Sequence, residues 1–97
     1  MTDATRRIGS FVHWREWDGE IIAYNDRTGD THHFADLSAW LFVRLARGAL
    51  SDTAIAAAVA TEVELPAAID QGAVIARTLA LFTRLDLLVS QHQVEAA

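Results

Sequence analysis

Apolar and polar positions alternate with a strand-like period through residues 11–34, then change after "FAD" to the three-to-four-residue spacing of amphipathic helices. The first region is rich in aromatic and β-branched residues and is broken by glycine at "WDG" and "RTG". It predicts three antiparallel strands joined by two hairpins. A three-residue loop with glycine in the left-handed conformation suits both turns. Closing the first over Trp17, Asp18 and Gly19 sets Trp14 opposite Ile22 and Val12 opposite Tyr24. Closing the second over Arg27, Thr28 and Gly29 sets Tyr24 opposite His32 and Ile22 opposite Phe34. Val12, Trp14, Ile22, Tyr24, His32 and Phe34 then share the expected core face, and His13, Arg15, Ile21, Ala23, Thr31 and His33 share the other. A two-residue Asp-Gly loop would pair Trp14 with Ala23 and Glu16 with Ile21, mixing polar and apolar residues on both faces, so the first register is preferred.

Three helices follow in the pattern. Asp36 is placed to cap the first, "LSAWLFVRLARG", in which Leu37, Leu41, Arg44 and Leu45 share a face, Trp40 widens the apolar stripe and Gly48 supplies the stop. Ser51 caps a second, "DTAIAAAVATEV", with Ile55, Ala58, Val59 and Val63 as a narrow stripe. Pro66 fits the first turn of a third helix running through "AAIDQGAVIARTLALFTRLD". There Ile69, Ala73, Ala76 and Ala80 line one side and Ile75, Leu79, Phe82 and Leu85 another, which predicts cover on more than one face. "LLVSQ" reads as a short extended segment and "HQVEAA" as a fraying end. The expected architecture is α+β, a three-stranded antiparallel sheet (about 11–34) followed by three helices (about 36–86), all in one domain over residues 1–97.

Composition narrows the function classes. With 97 residues, 52% hydrophobic and 22% charged, the chain has enough apolar material for one modest core. The longest apolar run is far shorter than the roughly 20 residues of a membrane span, and the polar start "MTDATRRIGS" lacks the apolar stretch of a signal peptide; a soluble cytoplasmic protein without membrane partners is expected. The absence of cysteine excludes disulfides, thiolate nucleophiles and cysteine metal sites. A net charge of −5, with eight scattered arginines and no lysine, disfavours nucleic acid as a partner.

His32 and His33 are neighbours in a predicted strand, so they point to opposite faces and are badly placed to share one small ion. His13 and His92 have no recognisable metal-ligand spacing to them, and no metal or other cofactor is expected. His32 is expected to be partly buried with its ring nitrogen against a polar neighbour, and His33 exposed. Asp18, Glu20, Asp26 and Asp30 sit at turns, where acidic residues serve turn geometry, and no nucleophile and base are brought together. The chain is not expected to be an enzyme. The strand "THHF" carries no proline, bulge signal or lysine to block pairing, so it offers an edge for an incoming peptide.

The segment "YNDRTGDTHHFADLSAWLFVRL", the terminal "LALFTRLDLLV" and the sheet-then-helices order together resemble the PqqD-like family of peptide chaperones and RiPP recognition elements, and "TGDTHHF" is similar to its HPr-rel-A subgroup. Asp86 stands where many relatives carry glycine. The resemblance covers nearly the whole chain and implies a winged-helix-like fold and a non-catalytic chaperone that presents a precursor or leader peptide to a modifying enzyme or an HPr-kinase-related protein. It also implies a docking edge at Thr31, His32, His33 and Phe34, facing Ile69, Asp70, Ala73 and Arg77 of the third helix. Two alternatives stand beside it. One is a winged-helix DNA reader, which the acidic third helix and hairpins argue against. The other is a self-associating scaffold subunit, a homodimer paired through the same edge.

Overall fold

In the computed structural model, which describes residues 4–92, the chain is α+β, with antiparallel strands and three helices. The element order is β1 (Ala4–Ile8), β2 (Val12–Trp17), β3 (Glu20–Asn25), β4 (Thr31–Phe34), α1 (Asp36–Arg47), β5 (Leu50–Ser51), α2 (Asp52–Glu62), α3 (Gln71–Arg84) and β6 (Leu88–His92). The expected sheet is present in the order β2-β3-β4. In a second sheet, ordered β5-β1-β6, only β6 was anticipated; neither β1 nor the short β5 was. "ATRRI" has too many charges to read as a strand, yet β1 lies in the middle of its sheet, with Arg6 bridging Asp52 at 3.3 Å. The segment "LLVSQ" does extend, as β6, which also takes in His92, the first residue of the end expected to fray; residues 93–97 of that end lie outside the described residues.

The hairpin register differs from the expected one. Trp17 pairs with Glu20, leaving a two-residue turn in which Asp18 (φ 57°) and Gly19 (φ 79°) are both left-handed. This is the primed turn whose twist matches that of the strands. Trp14 therefore faces Ala23, Glu16 faces Ile21 and Val12 faces Asn25. The second loop, by contrast, is longer than expected. Asn25 N–H donates to Asp30 O at 2.9 Å and Gly29 N–H to Asn25 O at 2.8 Å, so residues 26–29 form the turn. Ile21 then meets Phe34 and Tyr24 meets Thr31. A one-residue change of register turns a strand over. Accordingly β3 buries Ile21, Ala23 and Asn25 and exposes Ile22 and Tyr24, the reverse of the expected faces, whereas Val12, Trp14, His32 and Phe34 face inward as expected.

Asn25 explains why this phase prevails. Its side chain is fully buried yet saturated: Nδ2 donates to Leu85 O (3.2 Å) and Asp86 O (2.9 Å), and Oδ1 accepts from the amides of Arg27 (2.9 Å) and Thr28 (3.4 Å). The carbonyls belong to the end of α3, where Asp86 N–H reaches Thr83 O, Leu87 N–H reaches Phe82 O and Asp86 adopts φ 59°. That is a Schellman ending, with Asp86 in the position usually taken by glycine and Phe82 against Leu87 as its apolar clasp. Aspartate tolerates the left-handed region better than most residues.

Phe34, Phe42 and Phe82 fill the space beneath the sheet with ring centroids 5.1–6.0 Å apart, and Trp14 stands edge-on to Phe42 at 5.7 Å. The helices reach this core with three changes from expectation. Asp36 does not cap α1. Ala35 holds the cap position because the first helical bond is Ala39 N–H to Ala35 O, and the Ser38 hydroxyl donates to the same carbonyl. Pro66 does not begin α3: it starts a turn closed by Ile69 N–H to Pro66 O, and the helix begins five residues later where Asp70 caps Ala73 N–H. Finally, α3 is covered on one face only; Ile75, Leu79 and Phe82 are buried, while Ile69, Ala73, Ala76 and Ala80 are exposed. Ser51 caps α2 as expected, accepting from Ala54 N–H.

Replacing Asn25 with Ala should leave two carbonyls and two amides without their partner and lower the unfolding free energy by about 2–4 kcal/mol in urea denaturation. Asn25→Asp should cost at least as much, since it loses both donors and aims a charge at the Leu85 and Asp86 carbonyls.

Candidate functional site

The residues expected to dock a peptide fall on two elements. Thr31 to Phe34 form β4, which pairs with β3 on one side and, among the described residues, with no strand on the other, so it is a sheet edge. In an antiparallel ladder the directly bonded pairs alternate with unbonded ones. Because Asn25 and Asp30 are bonded, the bonded pairs next along the strands are Ala23 with His32 and Ile21 with Phe34. Thr31 and His33 therefore aim their main-chain N–H and C=O groups outward, away from β3.

The side chains alternate in the same way. Phe34 is buried in the aromatic cluster, and Thr31 and His33 are exposed on the outer face. The His33 imidazole is bonded to the Glu20 carboxylate on the neighbouring strand, with both side chains about half exposed. His32 points inward, 6.3 Å from the Phe34 ring. Its environment departs from expectation: among the described residues the buried Nε2 has no hydrogen-bond partner, because its surroundings on that face are Ala23 and Phe34 rather than a polar group.

The residues expected on α3 do not meet this edge. At about 100° per residue, Ala73 and Arg77 lie on the side of α3 opposite its buried stripe of Ile75, Leu79 and Phe82. Phe82, which touches Phe34, is 5 residues beyond Arg77. No hydrogen bond, ion pair or ring contact among the described residues links Ile69, Asp70, Ala73 or Arg77 to β4. Asp70 is committed to capping the helix, Ile69 is 43% exposed, and Arg77 takes part in no salt bridge among the described residues.

Sequence reasoning missed the outer face of the β2-β3-β4 sheet, because the register error turned it inward. Trp17 is 80% exposed, Ile22 44% and Tyr24 41%, and with His13 and Arg15 they line a shallow cleft beside the hairpin. The Asp-Gly dipeptide was the signal for it, since that pair favours the two-residue turn that exposes these residues. Among the described residues no group of three potential ligands is gathered for a metal ion, and no helix is long and apolar enough to cross a membrane.

His32→Phe keeps the shape of the site and removes the orphaned nitrogen. In dilute solution it should raise stability by about 1 kcal/mol, measured by urea denaturation, because an unsatisfied buried group is lost with no bond to break. His33→Ala and Glu20→Ala should each change stability by less than about 1 kcal/mol, as expected for an exposed ion pair.

No family model, curated protein or solved structure matches this chain.

Proposed function

We propose that the protein is a non-catalytic, cytoplasmic peptide-binding chaperone that adds a precursor segment to β4 as a fourth strand and presents it to a separate modifying enzyme or HPr-kinase-related partner. The observation that carries this reading is the open edge of β4, with the outward main-chain groups of Thr31 and His33. These supply affinity without regard to client sequence, as in other cases of strand addition. Specificity comes from the two faces. Side chains of the docked strand that project outward lie alongside Thr31 and His33, with exposed Ile22 and Tyr24 in the next column. Those projecting inward lie beside His32. A client longer than this short edge continues over the exposed side of α3, where Ala73, with Ile69 in the turn before the helix, offers apolar contact and Arg77 meets an acidic side chain.

An NMR titration with short peptides encoded near the gene tests this reading. A client should shift the amides of Thr31 and His33 most strongly. His33→Pro removes an outward N–H that β3 does not use, so it should weaken docking at least tenfold while the fold persists, because proline is tolerated on the outer side of an edge strand. His33→Ala should bind within about threefold of the parent, since main-chain bonds carry the affinity. If His33→Ala abolishes binding as fully as His33→Pro, main-chain docking is wrong.

A further inference from the structure

We infer that β4 also pairs with β4 of a second copy of this chain, antiparallel about a two-fold axis at His32, so that the edge covers itself until a client displaces the partner. The inference rests on the same open edge as the docking reading and names a second occupant for it.

The register follows from the groups that are free. Thr31 and His33 are the strand residues with outward N–H and C=O groups, so a pairing that uses both sets Thr31 of one copy opposite His33 of the other, and the reverse, with four N–H···O=C bonds. Registers centred one residue to either side require groups already engaged. Gly29 N–H donates to Asn25 O, and Ala35 O accepts from Ala39 N–H and the Ser38 hydroxyl. The remaining register places His32 opposite its own copy in an unbonded pair, where Cα atoms approach to about 4.5 Å and side chains are nearest.

The strand also lacks the devices that keep edges apart: no proline, lysine or inward-pointing charge lies between Thr31 and Phe34. Each copy carries −5, but at physiological ionic strength charges more than about 8 Å apart are largely screened.

Because the chain contains no cysteine, single cysteines report the register. The unbonded and bonded antiparallel distances, about 4.5 and 5.5 Å between Cα atoms, both lie within the disulfide range. Under mild oxidation at 0.15 M salt, about physiological ionic strength, His32→Cys should convert mostly to a covalent dimer. Thr31→Cys and His33→Cys should each stay largely monomeric alone and cross-link when mixed. Circular dichroism establishes that each variant is folded. A folded His32→Cys that stays monomeric, or a Thr31→Cys that cross-links with itself as readily, overturns the pairing. Repeating the peptide titration separates the two occupants. Peptide shifts at Thr31 and His33 without cross-linking leave docking in place and remove the dimer; cross-linking without any peptide response establishes the dimer and removes docking.

Discussion

The saturated, fully buried side chain of Asn25 is the constraint on which the fold depends. A buried amide is tolerated only when its donors and acceptor are met, and here they are met by two different parts of the chain: the turn after β3 and the end of α3. If β3 were shifted by one residue, Asn25 would point to solvent, those partners would be lost and Ile21 would leave the core. One side chain thus couples the local turn, the register of the sheet and the seating of the last helix.

Neighbouring contacts strengthen the same junction. The Arg27 guanidinium lies 4.3 Å above the Phe11 ring and pairs with Asp86 at 3.4 Å. Phe11 O accepts from Asp26 N–H, and Gly9 N–H donates to Leu87 O. A Cβ on Gly9 would meet the Phe11 ring, so a larger residue between β1 and β2 would have to displace that ring from beneath Arg27. From the junction β6 returns beside β1, and β5 closes the other side of β1 just before α2. The second sheet therefore gathers both ends of the described chain around the helices.

Much of the candidate site was legible because it depends on main-chain pattern. The short run "THHF", following a glycine turn and preceding a helix, already identifies an edge without protection. The helix side was less legible. Periodicity grouped Ala73 and Arg77 correctly as one side of α3, although Ile69, grouped with them, lies in the turn before the helix; it contains no information about which side packs inward, and Ile75, Leu79 and Phe82 won because their larger apolar surface fills the space below Phe34 and Phe42. The partnerless His32 nitrogen was invisible for the same reason, since satisfaction of a polar atom depends on neighbours distant in sequence.

By itself the sequence determined the class of β2, β3, β4 and the three helices, the cap at Ser51, the hairpin positions and the inward faces of β2 and β4, because these follow from local spacing and turn chemistry. Tertiary structure decided the phase of β3 and the strand nature of "ATRRI" and of Leu50–Ser51. Each of these depends on a partner far along the chain: the carbonyls of Leu85 and Asp86 for Asn25, β5 and β6 for β1, and β1 for β5. Local propensity cannot anticipate a hydrogen bond or a packed surface whose other half lies tens of residues away.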